Sequence, residues 1–211
     1  MPSPRFDRLA PAKRERLLDA AAHEFAAHGY ASASINRILE QAGMSKGAAY
    51  YYVADKADLF AVTVHYCVAR LDLLPESLDP ADLTVETFWP TFARLRREPL
   101  LRAYDAPWLF GALKAAGRLD PAQVSEGPLA ALSGELQAGV MAVVRQGQRL
   151  GLVRADVPED LIFQWLRALD SASDDWLLAR WAQMTPETLA RLSDMTVQTM
   201  RQAVAPAWPD A

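Results

Sequence analysis

The stretch AGMSKGAAYYYVADKADLF, residues 42–60, decides how this chain is read. Tyr50, Tyr51 and Tyr52 stand side by side between a Gly43-Met44-Ser45 turn and Lys56. Successive side chains on a helix diverge by about 100°, so three adjacent phenols cannot all enter one core. At least one ring faces outward, and each hydroxyl needs a partner or water.

Upstream, Leu18, Ala21, Ala22, Phe25 and Ala26 recur at three-to-four spacing and predict a helix from Ala12 to about His28. Gly29 suits the left-handed position that ends a helix. Ser34 offers an oxygen to cap a short helix of about Ile35–Ala42, and Ser45 is placed to cap another over about Lys46–Tyr52. Helix, glycine-containing turn and helix make a helix-turn-helix pattern, with Ile35, Ile38, Leu39 and Met44 as its internal contacts. Residues 1–11 hold three prolines and are expected to form a flexible arm.

Downstream, Asp55 can cap a long helix through Leu59, Val62, Val64, Tyr66 and Leu71 to about Leu74. The expected boundaries are an arm over 1–11, a head over 12–56 and a body over 57–211. The body reads as further helices: about Thr84–Arg97, kinked at Pro90 and ended by Pro99; Leu100–Ala116, broken near Pro107; Leu129–Leu150; a helix capped by Asp156 and running to about Met184; and Thr185–Ala205. The fold class is all-α, with about nine helices.

The whole chain has 211 residues, of which 51% are hydrophobic and 23% charged, within the range of folded globular proteins. No apolar run approaches the roughly 18 residues of a membrane span, and the N-terminus lacks the apolar stretch of a secretory signal. The expected location is the cytoplasm. Cys67 is the only cysteine, so an intrachain disulfide and a thiolate metal cluster are excluded. The net charge of −4 divides unevenly: residues 1–60 carry +1 and the remainder −5. A neutral-to-basic head on an acidic body is compatible with nucleic-acid binding.

The combination RLLDAAAHEFAAHGYASASINRILEQAGMSKGAAYYYVADKADLF resembles the N-terminal domain of the tetracycline-repressor (TetR) family of bacterial transcriptional regulators. The resemblance covers about residues 13–62 and includes the Phe-x-x-x-Gly-Tyr end of the first helix, the Ala-Gly-x-Ser-Lys-Gly turn, the aromatic cluster and the Asp-Lys pair. It implies a helix that enters the major groove of DNA, where base edges are distinguishable. By resemblance, Lys46, Gly47, Ala48 and Tyr51 lie near base edges. Tyr50 and Tyr52 divide between packing and phosphate, Lys56 meets phosphate, Ser34 and Ser45 cap helices beside the backbone, and Asn36 or Arg37 reaches the groove margin. Two positions depart from the family pattern: Ala48 stands where many relatives have Thr or Ser, and Val53 replaces the usual Phe.

The same resemblance implies that the body binds a small-molecule effector and forms a homodimer. Trp89, Phe92, Tyr104, Trp108, Phe110, Met141, Trp165 and Trp176 are the candidate effector-binding residues, since aromatic side chains in a small helical domain either fill the core or line a pocket. An apolar or aromatic effector fits such a lining. Apolar stripes at Ile162, Trp165, Leu169, Ala172 and Trp176, and at Leu189, Leu192, Thr196 and Thr199, can face their own core or a second copy across a two-fold axis. The expected activity is therefore that of a repressor on a palindromic operator, released by an effector. A helical dimeric adaptor acting through protein contacts alone is the alternative.

An enzyme is not expected. His23, His28 and His65 lack metal-ligand spacing, and no phosphate loop or nucleophile elbow occurs. Asp170, Asp174 and Asp175 read as a solvated acidic face. No cofactor or metal is implied.

Overall fold

The computed structural model describes residues 6–45, 47, 52, 55–73, 78–119 and 128–206. Among these, eight α-helices and no strands are found: α1 (Pro11–Ser32), α2 (Ile35–Gln41), α3 (Lys56–Leu71), α4 (Phe88–Arg102), α5 (Pro107–Gly117), α6 (Pro128–Arg149), α7 (Glu159–Leu178) and α8 (Pro186–Ala203). The helix expected over 46–52 lies mostly outside the described residues, with Gly47 and Tyr52 helical.

Local chemistry sets most of the ends. Pro11 and Pro186 occupy first-turn positions, where a missing N–H costs nothing. The Ser34 hydroxyl accepts the Arg37 N–H, Asp55 accepts the Asp58 N–H at 2.8 Å, and Thr185 accepts the Thr188 N–H at 3.2 Å. Gly29 has φ +67°, so the regular part of α1 ends there as its sequence predicts, and a single turn to Ser32 follows.

Two prolines and one aspartate behave otherwise than expected. The helix expected from Thr84 begins at Phe88, which moves Pro90 into the first turn. It then continues through Pro99, because Pro99, Leu100 and Ala103 are buried and their packing outweighs the lost hydrogen bond. The break expected near Pro107 is present: α4 ends at Arg102 and Pro107 opens α5. Asp156 does not cap α7: it is held by Arg154 at 2.6 and 2.9 Å, and Pro158 takes the capping position. Residues 6–11 are not a loose arm, since Phe6 and Leu9 are buried beside a 3-10 turn at Phe6–Arg8.

Two compact units emerge: Met1–Asp72 with Asp105–Gly134, and Leu73–Tyr104 with Glu135–Ala211. The first is built on Leu17, Ala21, Phe25, Ile38, Leu59 and Phe60, all buried, with Phe25 and Phe60 edge-to-face at 4.6 Å. Helix α5 lies directly on α1 there, and a Cβ added to Gly111 would fall 2.8 Å from that of Ala26. The second unit closes around Phe88, Val144, Ile162, Val197 and Met200. Each fully buried large side chain contributes on the order of 1.5–3 kcal/mol.

Candidate nucleic-acid interface

The first unit carries the helix-turn-helix segment on a charged support that the apolar pattern conceals. Glu24 lies on the buried stripe of α1, only 3% exposed, and a carboxylate there needs compensation. It finds that compensation on the next helix. Arg37 Nε donates to Glu24 Oε1 at 3.0 Å and Oε2 at 3.1 Å, and Nη2 also donates to Oε1. The Ser34 backbone N–H donates to Oε1 at 2.7 Å. Hydrogen bonds from the Arg37 guanidinium hold the Glu24 carboxyl below its usual range, aided by the Ser34 N–H and the nearby positive charge, against the opposing effect of burial.

A second cation secures the same loop from the other side. Lys56, the first residue of α3, donates through Nζ to the carbonyls of Ala31 at 2.8 Å and Ala33 at 3.1 Å, and lies 5.0 Å from the Tyr30 ring centroid. Lys56, expected at phosphate, and Arg37, expected with Asn36 as the alternative at the groove margin, thus bond within their own unit. Asn36, Ser45 and Gly47 are exposed, while Ser34 and Tyr52 are half-buried. Lys46, Ala48, Tyr50, Tyr51 and Val53 lie outside the described residues. Glu24 was missed by the motif reading, although its place in line with Leu17 and Ala21 on an apolar stripe was a signal that a buried partner exists.

Farther from the helix-turn-helix, Tyr66 donates to Asp19 at 3.0 Å, and burial together with that carboxylate raises its pKa. Burial lowers the pKa of His23, opposed by Asp19. His23 stacks on Trp108 with ring centroids 3.9 Å apart.

The eight aromatic and sulfur residues named for effector binding are divided between the two units. Trp108 and buried Phe110 belong to the first unit, and the Trp108 indole N–H is buried with no acceptor among the described residues. In the second unit, Trp89 packs edge-to-face on Phe88 and Phe92 within the core. Tyr104 donates to the Met184 carbonyl at 3.3 Å and accepts from the Trp181 indole at 3.1 Å through its own carbonyl. Met141 and Trp165 are half-buried, and Trp176 is 46% exposed with the Arg180 guanidinium 4.4 Å from its ring centroid.

The stripes named for dimerisation divide by burial. Ile162 and Leu189 are fully enclosed in their own unit, and Leu169 packs against its core. Ala172, Trp176 and Thr199 are exposed, Leu192 is half-buried, and Thr196 bonds Ser173 at 3.1 Å and the Leu192 carbonyl at 3.0 Å. The three aspartates of α7 are not simply a solvated face, because Asp170 and Asp174 hold Arg96. Among the described residues, no group of three or more His, Cys, Asp or Glu is arranged to hold a metal ion, and no helix is long and apolar enough to cross a membrane.

Comparison with known proteins joins these features to a family. Residues 17–63 match the family described as bacterial regulatory proteins, tetR family. The HTH-type transcriptional repressor Rv1474c of Mycobacterium tuberculosis is 31% identical over 206 residues, covering 96% of this chain and all of that one. The HTH-type transcriptional repressor AcnR of Corynebacterium diphtheriae is 23% identical over 191 residues, with 90% and 93% of the two chains covered. The crystal structure of a TetR family transcriptional regulator from Chloroflexus aurantiacus J-10-FL aligns with a TM-score of 0.61 at 26% identity, over 96% of this chain and 93% of the other. The helix-turn-helix head, the all-α architecture and full-length similarity to a named repressor agree: the chain belongs to the TetR family of DNA-binding transcriptional regulators.

Proposed function

We propose that the protein is a cytoplasmic homodimeric repressor that binds a palindromic operator and leaves it when a small apolar or aromatic effector binds the body. The observation that carries the reading is the exposed side of residues 34–45 together with Gly47. Asn36, Ser45 and Gly47 are exposed there, beside a turn whose residue order matches the family. Lys46, Gly47, Ala48 and Tyr51 are the residues assigned to base edges, with Tyr50 and Tyr52 divided between packing and phosphate. The Ala48 methyl suits contact with a thymine methyl group.

Dimerisation is supported by exposed apolar residues on the last two helices: Leu161 at 42%, Trp176 at 46% and Met195 at 55%. One short recognition helix makes few contacts, whereas two on half-sites one helical turn apart reach useful affinity. Trp165 and Trp176 can serve this contact, while Trp89, Phe92, Tyr104 and Met141 remain the candidates for an effector in the second unit. An effector acts here only through its differential affinity for the DNA-competent and DNA-incompetent arrangements.

Selection of binding sites from a random duplex pool by the purified full-length chain tests the reading. Recovery of one palindromic motif is the expected result. A folded dimer that enriches no motif, with or without small-molecule extract, would contradict it and favour an adaptor.

A further inference from the structure

We propose that Glu24, Arg37 and Lys56 form a positioning clamp for the helix-turn-helix, in which Arg37 serves DNA binding through Glu24 and not by touching DNA. The inference rests on the DNA-binding reading above and assigns roles that the motif does not.

The geometry points to a fixed joint. The segment between Gly29 and Ser34 links α1 to α2, and side chains from three helices bond four of its backbone groups. From α1, Glu24 accepts the Ser34 N–H that opens α2. From α2, Arg37 grips both oxygens of Glu24 and also donates to the Ser32 carbonyl at 3.3 Å. From α3, Lys56 donates to the carbonyls of Ala31 and Ala33. Carbonyls at the end of α1 are among those a helix leaves without partners, and the two cations satisfy three carbonyls between them. The pairing orients α2 and the first turn of α3, which flank the segment 42–55 that carries the recognition residues.

A guanidinium with two or three donors committed to a carboxylate is geometrically specified. The Arg37 side chain remains 49% exposed while Glu24 is enclosed, so losing Glu24 leaves a solvated arginine and not a buried charge. That asymmetry makes Glu24→Gln a variant expected to fold, and it gives the test a sign. Removing a negative charge and releasing Arg37 should strengthen binding to a polyanion if electrostatics alone operate. Under the clamp it weakens binding, because α2 loses its orientation.

The experiment measures affinity of full-length wild type, Glu24→Gln, Arg37→Gln and the double variant for the duplex recovered from the random pool, at several salt concentrations. Thermal melts establish that each is folded at the assay temperature. Expected are losses of about ten-fold for each single change and little more for the double, since both break one joint. The slope of log affinity against log salt should change little, whereas a lost phosphate contact lowers it by about 0.9. Unchanged or tighter binding by folded Glu24→Gln, or additive losses in the double, would overturn the clamp while leaving DNA binding intact. Failure of the wild type itself to bind any selected duplex would overturn both.

Discussion

Arg96 of α4 offers the sharpest stability prediction, because one cation holds groups from two other helices of the second unit. Nε donates to Asp170 at 2.8 Å and Nη2 to Asp174 at 2.9 Å, both on α7, and Nη1 donates to Ser193 on α8 at 3.2 Å. The Arg96 and Asp174 side chains are 8% and 7% exposed, whereas that of Asp170 is 46% exposed. Replacing Arg96 by Met keeps much of the stem's volume but takes the cation from the enclosed Asp174, a change that costs about 3–5 kcal/mol in buried pairs. Asp174→Asn leaves Arg96 its bonds to Asp170 and Ser193, so a loss of about 1–3 kcal/mol follows. Asp170→Asn touches a solvent-screened pair and should cost no more than about 1 kcal/mol. Urea unfolding at neutral pH and fixed protein concentration, followed by far-UV circular dichroism with the slope checked for constancy, ranks the three. A loss below about 1 kcal/mol for Arg96→Met, or equal losses for the two aspartates, would show that Arg96 does not hold an enclosed carboxylate.

Three further groups, Gly147, Cys67 and Glu24, give outcomes of known sign. Gly147→Ala would place a Cβ 2.5 Å from Val153 Cγ2 and 2.6 Å from Phe88 Cζ in an enclosed core. Overpacking of about 1–3 kcal/mol should outweigh the helix-propensity gain of about 1 kcal/mol and lower the melting temperature. Cys67 is fully buried, and burial pushes its thiol up to about 12. A thiol reagent at neutral pH should therefore leave it unmodified in the native protein and label it fully in denaturant. Glu24 sits below its ordinary value of 4.5, so its contribution to stability is present above that pH and is lost as pH falls through the lower folded value. Acid titration of stability should be shallower below about pH 4.5 in Glu24→Gln than in wild type.

The fold was legible wherever a local rule acts on a few adjacent atoms. Ser34, Asp55 and Thr185 cap helices as their positions announce, and Gly29 takes the positive φ that its place suggests. The prolines show the limit of such reading. Pro90 and Pro99 are equally strong breaking signals, yet the first falls harmlessly in an opening turn and the second is carried by the burial of Leu100 and Ala103. Neither fact is local. Asp156 had the form of a cap and was taken by Arg154, a competitor only two residues away.

The site was legible as a motif and opaque as a network. Residue order identified the helix-turn-helix, but the family resemblance directed toward DNA both Lys56, at phosphate, and Arg37, the alternative to Asn36 at the groove margin. Glu24 and the carbonyls of Ala31 and Ala33 draw them inward, through pairings that span helices. Aromatic content was equally ambiguous. Trp89, Trp108 and Trp176 are alike in sequence terms, and only burial separates a core ring, a ring stacked on histidine and an exposed one.

Whether the head reads DNA sequence is decided by comparing one selected palindromic duplex with its scrambled counterpart. Affinities for both would be measured at physiological salt for wild type and Tyr51→Ala, each shown to be folded. Wild type should prefer the palindrome by a factor on the order of 1,000 or more, and Tyr51→Ala should lose much of that preference while still binding the scrambled duplex weakly. Equal affinity of wild type for the two duplexes would contradict the account.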